Sequence, residues 1–453
     1  MQQNLTSGSV FQNVVRFSLP YLLSYFLQTL YGMADLFIVG QFEPVAATTA
    51  VSIGSQVMHM LTVMLVGLAM GTTVTIAQAV GAGDKKRAAR AVGNTVTLFG
   101  GISALLTVLL LLLVRRITAV MSTPAEAVSG TVRYLTICFL GIPFITAYNV
   151  LSSIFRGMGD SKSPMYFIAC ACVCNIALDY LFIGAMHLGP AGAALGTTFS
   201  QAISVLLALL TIRKRGLGLP MHRSDLRPDK AVSGDILKIG LPITCQDGLI
   251  QVAFIVITVI ANQRGLTDAA AVGIVEKVIS FLFLIPSSML STVSALGAQN
   301  IGAGKPERAI RTLRYAVLLA VSFGVLASIT IQFTAEQIVA LFTDRSTAAG
   351  AQVVRLGGQY LRGYIFDCIF AGIHFSFSGY FCACGKSGLS FLHNIFAIVL
   401  VRIPGVYLTS TLFPATLLPM GLATAAGSAC SVLICLIAFA VIQRKAAAPQ
   451  AEG

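Results

Sequence analysis

In the stretch LQTLYGMADLFIVG, Gln28, Tyr31 and Asp35 recur at spacings of three and four residues, and in NIALDYLFI, Asn175 and Asp179 stand four apart. On a helix each set lines one face. Both stretches are otherwise apolar, and a carboxylate at the centre of a membrane helix costs about 2.5–3.5 kcal/mol on insertion scales, so each acid asks for a reason. If the two polar faces meet in one cavity, Asp35 and Asp179 cannot both keep a charge there cheaply. A proton or a sodium ion is then the expected occupant, which is ion-exchange chemistry. Further acids in apolar surroundings are Asp247, Glu276 and Asp367, with His59, His374, His393, Lys277 and Arg402 as candidate partners. Asp367 joins Gln28, Tyr31 and Asp35 in the expected substrate cavity, and whether Asp247, Glu276 and Asp367 form a second site stays open.

The elements that must hold these groups are membrane helices. The 453 residues are 56% hydrophobic and 10% charged, with mean hydropathy +0.85. Runs such as TLFGGISALLTVLLLLLV (97–114) and YAVLLAVSFGVLASITI (315–331) are long enough to cross a hydrocarbon core about 30 Å thick. The pattern predicts helices over 17–40, 46–80, 92–114, 132–155, 164–184 and 191–212, then over 237–261, 269–299, 311–333, 355–382, 388–409 and 418–442. The fold class is therefore an all-α polytopic membrane protein with twelve transmembrane helices. The N-terminus lacks the basic segment and cleavage site of a signal peptide, so the first helix is expected to be retained.

A net charge of +13 could mark a nucleic-acid binder, but the distribution of the basic residues excludes it. With both termini placed in the cytoplasm, 21 of the 30 Lys and Arg fall in inner loops and tails, Arg156 among them, and four in outer loops (Arg115, Arg116, Arg264, Arg345). This is the bias that orients membrane proteins.

One basic loop occurs twice. GAGDKKRAARAVGNTV (81–96) and GAGKPERAIRTLRYAV (302–317) share seven of sixteen positions at an offset of 221. Leu-Pro at 19–20 and 241–242, AVSI (50–53) against AVGI (271–274), GDS (159–161) against GKS (385–387), and Asn175 against Asn394 follow at nearly the same offset. The chain is thus two copies of a six-helix unit, 1–212 and 237–453, joined by a basic cytoplasmic linker over 213–236. Because six is even, the copies run parallel, which implies a pseudo-two-fold axis along the membrane normal and a rocking, alternating-access cycle. GAGK is no phosphate loop, since Pro306 follows Lys305 where Ser or Thr would bind magnesium. The ten cysteines, CACVC (170–174) among them, lack metal or disulfide spacing and are expected to pack as small apolar groups.

From Pro20, Gln28, Tyr31 and Asp35 through the two GAG-basic loops to RGMGDSKSP (156–164) and NIALDYLFI (175–183), the chain resembles the multidrug and toxic compound extrusion (MATE) transporters. The resemblance implies secondary active export of cationic or amphiphilic small molecules in exchange for protons or sodium ions. It implies an N-lobe coupling site at Asp35, Asn149, Asn175, Asp179 and Thr197, with Pro20 as a hinge and sodium, if used, at Asp35, Asn175 and Asp179. The sodium-using members carry a Glu two turns after the seventh-helix proline. Here Ile250 and Gln251 stand after Pro242, which favours protons. No enzyme activity, cofactor or nucleic-acid partner is implied. The expected setting is a bacterial inner membrane, with the protein as a monomer in the lipid bilayer.

The competing reading in the same superfamily, a lipid-linked saccharide flippase, calls for extra helices and a basic cavity, whereas this chain places acids in its first half. An intramembrane metalloprotease or redox enzyme fails on the lack of HExxH and of haem or Cys-ligand spacing.

Overall fold

The structure, a computed structural model, describes residues 5–447. Its helices are α1 (Val10–Phe42), α2 (Val45–Gly81), α3 (Lys85–Val120), α4 (Ala125–Leu140), α5 (Ile142–Gly157), α6 (Lys162–Asp179), α7 (Gly189–Arg215), α8 (Lys230–Arg264), α9 (Leu266–Leu282), α10 (Leu284–Gly302), α11 (Pro306–Val339), α12 (Ala348–Tyr364), α13 (Asp367–Ala383), α14 (Ser387–Phe396), α15 (Ile403–Leu412) and α16 (Leu418–Ala447). Among the described residues there are no strands. Among the described residues eleven spans are long and apolar enough to cross a membrane, and the bent pair α4–α5 supplies the twelfth.

The spans arise where the hydropathy places them, but several are broken where hydropathy is silent. The expected helix over 132–155 begins at Ala125 and bends by 48° at Gly141. Pro143 in the first turn of α5 has no N–H to offer the preceding turn, so the ladder stops there. The span expected over 269–299 breaks at Phe283, and the one over 355–382 breaks after Tyr364, which leaves Asp367 in the first turn of α13. Residues 180–185 and 397–402 are π-helical, each following the Asn-bearing helix of its repeat. Such segments insert an extra residue into a turn and turn side chains off the ordinary helical stripe.

The chain forms two compact units. Unit 1 holds residues 1–244 and 298–305, and unit 2 holds 245–297 and 306–453. In unit 1, Phe155 of α5 meets Phe167 of α6 edge-on, with centroids 5.5 Å apart, inside a core that includes Tyr148, Ile154 and Ile168. In unit 2 the core runs through Ile257, Val275, Ile331, Tyr360 and Tyr364. Large apolar side chains such as Leu105, Leu112, Leu326 and Phe333 lie exposed, as lipid-facing positions should.

The recurring GAG phrase gains a packing reason inside unit 1. Gly83 and Gly304, the third residue of each phrase, adopt φ of 72° and 69°, the left-handed conformation that ends a helix. The bonds Asp84 N–H to Ala79 O (3.0 Å) and Lys305 N–H to Asn300 O (2.8 Å) close the two turns in the same way. The first glycines serve a different purpose. A side chain at Gly81 would strike the backbone of Gln299, and one at Gly302 would strike the backbone of Gln78. Asp84 caps α3 by accepting from Arg87 N–H at 2.9 Å, while Lys85, Lys86 and Arg87 are solvent-exposed. Neutralising those three cations is therefore expected to reduce membrane insertion without changing which compounds are handled. Fractionation and a resistance panel measure this; an altered panel at normal insertion would contradict it.

Arg156, counted above as an inner-loop cation, is instead buried at the end of α5. Its guanidinium lies 4.1 Å from the ring centre of Tyr21. The neighbouring aromatic face, not water, receives this charge.

Candidate functional site

In unit 1, α1, α6 and α7 bring Asp35, Asn175, Asp179 and Thr197 together. Asp35 is 3% exposed and Asn175 and Asp179 are fully buried, so water does not solvate the two acids. The Thr197 hydroxyl donates to Asp35 Oδ2 at 3.1 Å. The carboxyl groups of Asp35 and Asp179 adjoin, with the Asn175 side chain beside Asp35. Asp35 Oδ1, both carboxyl oxygens of Asp179 and both polar atoms of Asn175 are buried without a hydrogen-bond partner.

Two local features make this meeting fit. Asp179 is the last residue of α6, and the π turn begins at Tyr180. Opposite it, α7 carries Gly196, and a Cβ there would run into Asp179 Oδ1 and stand 3.5 Å from the Asn175 side-chain nitrogen. The site thus depends on a missing methyl group. Nothing in the charge pattern points to Gly196; the only sequence signal is a run of small residues, GPAGAALG (189–196).

The remaining expected site residues are placed as follows. Tyr31 is one turn before Asp35 and within its electrostatic reach, and its hydroxyl accepts from Gln201 Nε2 at 3.4 Å. Gln201 was not anticipated. Gln28 is half-buried on the same helix. Asn149 is buried, but its amide donates to Ile145 O at 2.9 Å in its own helix. Pro20 lies inside α1, which continues through it, and its carbonyl accepts from the Ser24 hydroxyl at 2.7 Å.

Unit 2 has a polar cluster of a different kind. Arg402 Nη2 lies 3.0 Å from Asp367 Oδ2 and donates to the Tyr364 hydroxyl at 2.7 Å, with all three residues buried. Asp367 is therefore ion-paired, whereas among the described residues no cation pairs with Asp35 or Asp179. Glu276 accepts from Thr258 at 3.2 Å, and the adjacent Lys277 points to the exterior. Asp247 is half-buried and His59 is exposed. His374 and His393 pack edge-on at 5.5 Å, and His393 Nε2 lies 2.9 Å from the Ser378 hydroxyl. Among the described residues no group of three or more His, Cys, Asp or Glu side chains is arranged to hold a metal ion.

The MatE family matches residues 20–181 and 242–408, two segments whose starts repeat the offset between Pro20 and Pro242. Among curated relatives, the chain is 28% identical over 401 residues to the probable multidrug resistance protein YpnP of Bacillus subtilis, covering 88% of each chain. It is 30% identical over 353 residues to the probable multidrug resistance protein YoeA of the same organism, covering 76% of each. To the multidrug export protein MepA of Staphylococcus haemolyticus it is 26% identical, covering 90% of this chain and 89% of that one. In fold it is similar to an outward-facing multidrug resistance MATE family transporter of the MOP superfamily, with a TM-score of 0.89 at 21% identity and coverage of 98% and 99%. A duplicated twelve-helix frame matched by the family in both copies leaves one assignment: the chain belongs to the MatE family and is a transporter, not an enzyme.

Proposed function

We propose that the protein is a secondary antiporter that exports cationic or amphiphilic small molecules in exchange for protons, with Asp35 and Asp179 as the exchanging groups. The observation that carries this is the buried carboxyl pair with three oxygens lacking any donor. Two adjoining carboxylates in an apolar setting repel each other, and a single proton turns one into a hydrogen-bond donor for the other. Loss of that proton leaves negative charge that favours a cation. Proton and cationic solute thus compete for one electrostatic site, which couples their movements in opposite directions. The printed names of the YpnP, YoeA and MepA relatives support multidrug compounds as the substrate class. The 213–236 linker and both termini are taken as cytoplasmic, the membrane as the bacterial inner membrane, and the working form as a monomer without a cofactor.

The function is tested by reconstituting the protein in liposomes with a fluorescent organic cation and imposing proton and sodium gradients separately. A pH gradient should drive uptake and a sodium gradient at symmetric pH should not; the reverse pattern overturns the choice of ion. Orientation is tested in intact cells with a thiol reagent that cannot cross the membrane. A cysteine placed at Lys230 should stay unlabelled, while one at Thr267 should be labelled, because the basic residues favour the inner side.

A further inference from the structure

Arg402 is held as a bound organic cation would be held. Its guanidinium lies 5.7 Å from the ring centre of Phe254 and 5.6 Å from that of Tyr364. One nitrogen is 3.0 Å from Asp367 Oδ2 and 2.7 Å from the Tyr364 hydroxyl. Glu276 adds a second acid within electrostatic reach. The Phe254 ring, the hydroxyl edge of Tyr364 and a buried carboxylate are the parts from which sites for guanidinium and ammonium groups are built.

The cage is not sealed. Phe283, Asp367, His374, Phe375, Asn394 and Arg402 line a cavity with room for one or two waters, about 30 Å³. Three buried atoms of this lining have no hydrogen-bond partner: Asp367 Oδ1, Arg402 Nε and His374 Nδ1. Arg402 also ends the π segment over 397–402, whose widened turn sets its backbone. A side chain at Gly427 would run into the Arg402 stem at 2.8 Å, so α16 leaves space for it as well.

We propose that unit 2 contains an organic-cation site which this chain fills with its own Arg402, so that Arg402 is a specificity-determining residue: it keeps the Phe254–Tyr364–Asp367 cage closed to solute cations. The ligand class of the emptied cage is a small organic cation with N–H donors, represented by guanidinium, because that is the group whose Nη2 the Asp367 carboxyl and Tyr364 hydroxyl now accept from. This goes beyond the carboxyl-pair reading of unit 1 and does not depend on it.

The test uses purified full-length protein and methylguanidinium as the probe, with methylurea as its neutral isostere. In Arg402→Ala, methylguanidinium should raise the melting temperature saturably, with half-effect at a concentration at least about tenfold lower than for any response of the unaltered protein. Methylurea and equal sodium chloride should not. Adding Asp367→Asn to Arg402→Ala should remove the response, and adding Asp35→Asn should leave it unchanged, which separates this site from the one in unit 1. A folded Arg402→Ala protein that responds equally to methylguanidinium and methylurea overturns the proposal, as does a response that survives Asp367→Asn. Should Arg402→Ala be recovered only as aggregate, Arg402→Gln, which keeps a polar stem without the cation, is put through the same comparison with the same two deciding outcomes.

Discussion

Replacing Asp35 or Asp179 by Asn should abolish uptake driven by an imposed pH gradient, a loss of at least about a hundredfold, while the protein still inserts and folds. Asn nearly preserves the shape of Asp and removes the proton that is gained and lost. Folding should survive because the charge being removed has no cation to release: the polar groups beside Asp35 are the Thr197 hydroxyl, the Asn175 side chain and the Asp179 carboxyl. A cationic substrate should still bind, more weakly, since one of the two negative groups remains. Asp367→Asn makes the contrast. Its partner Arg402 is already bonded to Tyr364, so gradient-driven uptake should be largely retained even though leaving a buried guanidinium unpaired lowers stability. Liposome uptake of the three variants, scaled to folded protein, decides the matter. If only the Asp367 change abolishes transport, the exchanging groups are not the pair in unit 1.

Gly196→Ala should also be damaging, although it adds one methyl group and no charge. The added carbon would run into Asp179 Oδ1, well inside van der Waals contact. Asp179 cannot retreat freely, because it is fully buried at the end of α6. Either the carboxyl group turns away from Asp35 or α7 moves outward, and overpacking of this kind costs about 1–3 kcal/mol. Gradient-driven uptake is expected to fall by at least about tenfold. Gly100→Ala is the matched control, because nothing lies within 4 Å of a Cβ at that position. Equal activity in the two variants would mean that the fit of Asp179 against α7 is not functionally important.

These two expectations differ in how far the sequence alone could have supplied them. Asp35 and Asp179 stand out because a charged group in a run such as MADLFIVG is conspicuous, and because spacings of three and four define a helix face. Gly196 does not, since a glycine among alanines has the composition of any tightly packed membrane helix. The spans themselves follow from length and apolarity. Their breaks at Gly141, Phe283 and after Tyr364 do not, because a kink changes backbone bonding without changing hydropathy. The pairing of Asp367 with Arg402 spans 35 residues and depends on a π turn that no local pattern announces. Arg156 misleads for the opposite reason: adjacent to a loop in sequence, it is buried against Tyr21 through a contact made across 135 positions.

The glycine contact at the two GAG phrases carries one more consequence. Gly81 faces Gln299 and Gly302 faces Gln78, and at the repeat offset of 221 these are the same two residue positions with their roles exchanged. A contact in which position i of one copy meets position j of the other, and j meets i, is isologous, the kind made by a symmetric homodimer. A six-helix chain bearing a single GAG phrase could make this contact with a second copy of itself. Covalent fusion removes the requirement that the copies stay identical. In the present chain one copy carries the adjoining acids Asp35 and Asp179, while in the other Asp367 is paired with Arg402.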